Sequence, residues 1–132
     1  MNTTKLLLSI TEAGMILYWI FASLVALELI SVSPETMYSD YANPIVVAWN
    51  WSFLPIDILF ALTGLYGRYG MAVGSRQSIL STFSLSLMVC AGLMAISFWL
   101  IVGSFEPFWW AINLWLIFLG VWALSNNYLR HE

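Results

Sequence analysis

Long apolar blocks alternate with short polar segments along the chain. Four blocks stand out, at residues 6–31, 44–66, 77–103 and 107–129. Each has about 20 residues or more, the length that an α-helix needs to cross the ~30 Å hydrocarbon core of a bilayer. We therefore predict an all-α fold: an integral membrane bundle of four transmembrane helices that forms a single membrane domain over residues 1–132.

The connections between the blocks carry residues that begin and end helices. Residues 31–43 form the longest connection, and Asn43 followed by Pro44 is typical of an N-cap and a first-turn proline. Glycines at 64, 67, 70 and 74 mark the second connection, where a turn forms easily. The third, Gly103–Pro107, is short enough to require a tight antiparallel hairpin.

The charges outside the blocks predict an orientation in the cell membrane. In a four-span layout one end of the bundle carries all four basic residues, Lys5, Arg68, Arg76 and Arg130, and the other carries Glu35, Asp40 and Glu106. Basic residues mark the cytoplasmic side of membrane proteins. Both termini are therefore predicted to be cytoplasmic, with residues 31–43 facing outward.

Composition excludes several functional classes. Hydrophobic residues make up 61% of the chain and charged residues 8%, against about 25% charged in soluble domains. Four basic residues cannot neutralise a row of phosphates, so nucleic acid is not an expected partner. Cys90 is the single cysteine and His131 the single histidine, so we expect no disulfide, metal site, cofactor or catalytic residue. The sequence favours a protein that is not an enzyme.

Three acidic residues interrupt the apolar blocks: Glu12, Glu28 and Asp57. A charge at mid-span costs on the order of 2.5–3.5 kcal/mol on insertion scales, so each needs a partner or a route to the interface. Glu12 and Asp57 fall at similar depth on antiparallel neighbours, where a meeting pair would share a proton or hold a cation. In the simpler alternative, Glu12 and Glu28 reach the two interfaces and Asp57 alone is buried.

The run from Trp49 to Asp57 combines an amide, indoles, an internal proline and a buried acid. Asn50 and Asp57 are seven residues apart, so their side chains share one helix face, with Trp51 at its edge and Trp49 at the interface. We predict a ligand pocket in the outer half of the bundle, formed by Glu28, Asn50, Trp51 and Asp57.

The same segments resemble known families. Leu27–Leu29, Pro34–Tyr38 and the run Asn43–Asp57 resemble the small YvaD-like membrane proteins of Bacillus, mainly over residues 38–64, and that family implies no established activity. In layout the chain is also similar to the EXPERA group, which includes sterol isomerases and the sigma-2 receptor. That resemblance implies that Glu28 and Asp57 contact a lipophilic amine or sterol-like ligand, although the histidine of the isomerases is missing from every span.

The sequence leaves two other functions open. Small multidrug carriers resemble the chain in having four short spans and a glutamate in the first, here Glu12, although their glycine and tryptophan motifs are not evident. This alternative is a proton-coupled carrier that works as a homodimer through Glu12 and Asp57. The third hypothesis is that the protein is a non-catalytic accessory subunit. The leading hypothesis is a bilayer protein that binds a small lipophilic ligand, with a cation as one option.

Overall fold

The computed structural model describes residues 2–37 and 40–128, and regular structure in this part of the chain is entirely helical. The four helices are α1 (Thr3–Ala26), α2 (Pro44–Tyr69), α3 (Ser75–Val102) and α4 (Pro107–Tyr128), with one 3₁₀ turn, Pro34–Thr36, between α1 and α2. All four are long and apolar enough to cross a membrane. The predicted all-α fold with four potential spans is confirmed.

Side-chain caps fix the first turns of α1 and α2. The Asn2 side chain accepts a hydrogen bond from the Thr4 amide at 3.0 Å, and Asn43 accepts one from the Ile45 amide at the same distance. Each cap satisfies a backbone donor that has no partner inside the helix. Pro44 occupies the first turn of α2, as the sequence predicts.

Helix α1 ends at Ala26, five residues before the end of the first apolar block. Glu28 adopts a left-handed conformation with φ of 59°, and the Leu29 amide donates to the Leu24 carbonyl at 3.0 Å. This backbone geometry closes a helix in the way that a glycine usually does. Glu28 therefore lies beyond the helix rather than inside a span.

Helices that follow one another in the chain pack together: α1 contacts α2, α2 contacts α3, and α3 contacts α4. The first residues of α1 and α3 and the last residues of α2 and α4 border a common cavity, so the helices alternate in direction. Helix α1 approaches α4 less closely, and the Trp115 indole N–H bridges them by donating to the Thr11 hydroxyl at 3.0 Å.

A stripe of buried residues runs along the whole of α2. Its members recur at alternating intervals of four and three residues: Val46, Asn50, Phe53, Asp57, Phe60, Gly64 and Gly67. Intervals of this kind keep side chains on one helix face. Asn50 and Asp57 are both on that face, as the sequence predicts, and Pro55 lies inside the helix without ending it.

Small side chains bring α2 and α3 together. The Ser84 hydroxyl donates to the Phe60 carbonyl of α2 at 2.7 Å. Gly64 faces Ser84 and Glu12 so closely that a Cβ there would lie 2.6 Å from the Ser84 hydroxyl oxygen. Hydroxyl groups and glycines at helix crossings are typical of bundles in lipid, where close backbone approach replaces hydrophobic burial.

The basic side chains within the described part of the chain lie at one end of the bundle. Lys5 is in the first turn of α1, Arg68 in the last turn of α2 and Arg76 in the first turn of α3, whereas Arg130 lies outside the described residues. We call this the basic end. Away from it, large apolar side chains such as Ile10, Leu62 and Leu100 are exposed on the exterior, as a lipid-facing surface requires.

Candidate functional site

Asp57 is buried near the middle of α2 and receives a hydrogen bond from α1. The Trp19 indole N–H donates to its Oδ2 at 2.9 Å, and Trp19 is itself buried. In the described part of the chain this indole is the hydrogen-bond partner of the carboxylate. A neutral donor orients a carboxylate without neutralising it, so Asp57 has no charge partner within the structure described.

A cleft of about 300 Å³ opens beside this carboxylate, between α1 and α4. We call it the Asp57 cleft. Phe53 and Asp57 of α2 form its floor, and Met37 of the connection borders it. The walls are aromatic and apolar residues with a few polar groups: Ile10, Thr11, Gly14, Met15, Tyr18 and Trp19 of α1, and Phe108, Trp109, Ile112, Asn113, Trp115 and Leu116 of α4.

The cleft is present because α1 and α4 do not pack closely along it. The bond from Trp115 to Thr11 spans the gap, and Gly14 has no neighbouring atom within 4 Å of the position that a Cβ would take. Asn113 turns its amide group back to the Trp109 carbonyl, at 2.9 Å, within its own helix. A pocket of this kind, mostly aromatic with few polar groups, is typical of small-molecule sites.

Glu12 does not join Asp57. It is fully buried and forms an ion pair with Arg68, whose side chain is only 7% exposed. Glu12 also contacts the backbone at Gly64, which lies seven residues and therefore about 10 Å along α2 from Asp57. The two acids thus have separate partners, an arginine for Glu12 and an indole for Asp57.

Neither partner, Arg68 for Glu12 or Trp19 for Asp57, was predicted from the sequence. Arg68 lies beyond the apolar block that ends at residue 66, but α2 continues to Tyr69. The spacing could have shown that Arg68 shares a helix face with Asp57, because it follows Asp57 by eleven residues and so lies about 20° from it around the helix. The spacing indicates the position of Trp19 less directly: it lies seven residues after Glu12, so the two side chains share one face of α1.

Of the four residues predicted to bind a ligand, the structure places Asp57 at the cleft and the other three elsewhere. Glu28 is exposed beyond the end of α1. Asn50 is buried two turns before Asp57, and its Oδ1 has no hydrogen-bond partner among the described residues. Trp51 is half-buried and packs on Trp19, with ring centroids 5.4 Å apart.

Trp49 belongs to an aromatic cluster. Its ring stacks on Phe98 with centroids 3.9 Å apart and meets Trp99 at 5.9 Å and Trp109 at 6.0 Å. Trp109 also borders the Asp57 cleft, so the cluster supports one wall of that site. This cluster connects α2, α3 and α4 at the end of the bundle opposite the basic end.

Acids of the long connection are paired within it. The Tyr41 hydroxyl donates to Glu35 Oε1 at 2.9 Å, and this hydrogen bond raises the pKa of Tyr41. The Asn43 amide donates to Asp40 Oδ2 at 3.1 Å. Among the described residues no group of three or more histidine, cysteine, aspartate or glutamate side chains is arranged to hold a metal ion.

Comparison with known proteins places the chain in a family. A family model described as a family of unknown function, DUF5360, matches residues 4–131. The chain belongs to the DUF5360 family. A relative from Bacillus subtilis (strain 168), named Uncharacterized protein YvaD, is 38% identical over 119 residues, which cover 89% of this chain and 85% of the relative. The predicted YvaD-like resemblance is therefore confirmed, and no solved structure matches the chain significantly.

Proposed function

We propose that the Asp57 cleft binds a small lipophilic cation, such as an amphipathic amine, with Asp57 as its counter-ion. The observation that supports this is a buried carboxylate that lines an aromatic cleft and meets a neutral indole there. An acidic group inside a membrane span is costly and marks a functional site when nothing in the protein neutralises it. A bound cation supplies the missing charge.

The walls of the cleft suit the rest of such a ligand. Tyr18, Trp19, Trp109 and Trp115 line the cleft together with Asp57, and aromatic faces attract cations by about 2 kcal/mol or more when desolvated. The volume of about 300 Å³ lies at the lower end of ligand pockets. The ligand is therefore small, with one charge and an apolar body.

Access to the cleft is from the bilayer. Ile10 and Phe108, at its edges, are 60% and 66% exposed on the lipid-facing exterior. A lipophilic cation that partitions into the membrane can enter between α1 and α4 without crossing the bundle. This route requires no opening of the helix contacts that hold α2, α3 and α4 together.

The carrier alternative has no specific observation in its favour. It requires Glu12 to act with Asp57 or to face a second subunit, but Glu12 is buried within one chain against Arg68. It stays a hypothesis, as does a non-catalytic accessory subunit. The orientation with both termini in the cytoplasm of a cell-membrane protein is likewise a proposal, supported by the shared location of Lys5, Arg68 and Arg76.

The test is equilibrium binding of benzyltriethylammonium, a permanently charged lipophilic cation, to the purified chain in detergent. We expect one saturable site per chain and dissociation at least tenfold weaker in Asp57→Asn, which corresponds to about 1.4 kcal/mol. Asparagine keeps the shape of the side chain and can still accept from Trp19. Glu28→Gln is the matched control, because it removes an exposed acid outside the cleft.

Two results would contradict the proposal. Asp57→Asn could bind the cation as tightly as the parent chain, which would make the acid structural. Alternatively, Glu28→Gln could weaken binding as much as Asp57→Asn, which would assign the effect to general charge rather than to the cleft. A neutral aromatic molecule of similar size should bind both variants and the parent equally, because it does not use the carboxylate.

A further inference from the structure

A second cavity, of about 700 Å³, lies at the basic end of the bundle and is separate from the Asp57 cleft. We call it the basic vestibule. The beginning of α1, the end of α2, the beginning of α3 and the end of α4 all border it. Its lining includes Lys5, Arg68 and Ser78 and, among the described residues, contains no aspartate or glutamate.

Arg68 is the strongest feature of this cavity. Its side chain is only 7% exposed, yet it borders the vestibule while its Nη2 contacts Glu12 on the side of the core. A guanidinium has five N–H donors. Glu12 is engaged through Nη2, and Nε is a buried atom with no hydrogen-bond partner among the described residues.

Two long helices begin at the vestibule. Helix α1 has 24 residues and α3 has 28, and both have their N-terminal residues in the lining. The N-cap of α3 is Gly74, which provides no side-chain acceptor for the first-turn amides. The N-terminus of a helix carries a partial positive charge and free N–H groups, which together favour an anion.

We propose that the basic vestibule binds a phosphate group. Lys5 supplies an exposed cation in the lining, and Arg68 adds a guanidinium that is paired with Glu12. The first turn of α3 supplies the Ser75 amide and the hydroxyls of Ser75 and Ser78, because the Ser78 amide already donates to the Gly74 carbonyl. Basic pockets between helices at the cytoplasmic side of a membrane are suited to anionic headgroups. The phosphate can belong to a lipid headgroup or be free in solution, and both present anionic phosphate oxygens.

The experiment measures binding of two probes to the full chain in detergent at constant ionic strength. The probes are inorganic phosphate and dihexanoyl-phosphatidylglycerol, and dihexanoyl-phosphatidylcholine is the zwitterionic comparison. We expect Lys5→Gln to weaken phosphatidylglycerol binding about tenfold, the factor that 1.4 kcal/mol represents. Arg76→Gln is the matched control: Arg76 is exposed at the same end but does not line the vestibule.

The two probes distinguish the sources of the phosphate. Lys5-dependent binding of both supports a site for free phosphate as well as lipid, and Lys5-dependent binding of phosphatidylglycerol alone supports a headgroup site. Ser78→Leu, which fills the vestibule without removing a charge, should also weaken binding. The proposal is overturned if neither probe binds, or if Lys5→Gln and Arg76→Gln weaken binding equally, because that result reports surface charge.

Discussion

Asp57 and Glu12 are both acidic residues buried inside helices, but they have different partners. Glu12 is neutralised by Arg68 within the chain, so its charge is already balanced. Asp57 receives a hydrogen bond from a neutral indole and lines a cleft large enough for a ligand. The same kind of side chain therefore serves structure at one position and is available for recognition at the other.

Removing one member of the Glu12 and Arg68 pair should destabilise the protein strongly. Glu12→Gln leaves the guanidinium of Arg68 buried without its counter-ion, and breaking a buried pair typically costs about 3–5 kcal/mol. The double variant Glu12→Gln with Arg68→Met removes both charges and should recover part of that loss. The measurement is the free energy of unfolding in a denaturing detergent titration.

Arg76→Met is the control for this pair, because Arg76 is an exposed cation at the same end of the bundle. A surface substitution of this kind should change stability by no more than about 0.5 kcal/mol. If Glu12→Gln were as mild as Arg76→Met, the ion pair would contribute nothing to the fold. The double variant would then have nothing to restore.

Among the helices, the crossing of α1, α2 and α3 depends on the absence of a side chain at position 64. We expect Gly64→Ala to destabilise the bundle by about 1–3 kcal/mol, the usual cost of overpacking a core. Gly14→Ala should instead be neutral or stabilising by up to about 1 kcal/mol, because alanine favours a helix and no atom lies within 4 Å of its Cβ position.

Both substitutions make the same change of propensity inside a helix, so their difference in unfolding free energy isolates the steric effect at Gly64. Thermal or detergent unfolding of the two variants beside the parent measures it. Equal stability of the two variants would show that α1 and α3 can move away from α2 at no cost, contrary to the close packing of Glu12 and Ser84.

Features of the helices that depend on local chemistry could be predicted from the sequence. Asn43 and Pro44 begin α2 as expected, and Gly103, with φ of 74°, ends α3 as a left-handed residue. The end of α1 could not be predicted, because hydrophobicity continues to Ile30 while the backbone turns at Glu28. A run of apolar residues predicts that a segment is buried in lipid or protein, but it does not predict the residue at which the helix ends.

The candidate site was only partly predictable for a related reason. Asp57 could be identified because an acid in a span needs a partner, and its helix face follows from periodicity. The other residues of the cleft come from α1 and α4, and their meeting with α2 depends on tertiary packing that no spacing encodes. The pocket was therefore predicted from residues near Asp57 on α2, such as Asn50 and Trp51. Neither of these lines the cleft, and Trp51 packs on Trp19.

At the scale of the whole molecule, the two cavities divide the bundle along its length. Thr11 and Met15 of α1 border the Asp57 cleft, and Leu8 borders the basic vestibule. Glu12 lines neither cavity and lies on the face of α1 that meets Gly64 of α2, where its pair with Arg68 fills the core. The two proposals thus assign opposite charge preferences to separate cavities, a cation to the Asp57 cleft and an anion to the basic vestibule.

The orientation proposed for the bundle rests on the same separation of charge. Lys5, Arg68 and Arg76 share one end, and loops with an excess of basic residues stay in the cytoplasm. We expect Ala42→Cys, in the connection between α1 and α2, to react with an impermeant thiol reagent in intact cells. Ser75→Cys, at the start of α3, should react only after permeabilisation. Both positions are exposed, so the barrier that separates them is the membrane and not burial.

The labelling is done in a Cys90→Ser background, since Cys90 is a free and exposed thiol. Permeabilised cells control for reactivity, because both introduced cysteines should then be labelled to the same extent. Labelling of Ser75→Cys alone in intact cells would invert the bundle and put the basic vestibule on the outside, away from the anionic inner leaflet. Because the proposed access to the Asp57 cleft is from the bilayer, that inversion would leave the proposed cation site reachable but would remove the headgroup source from the proposed anion site.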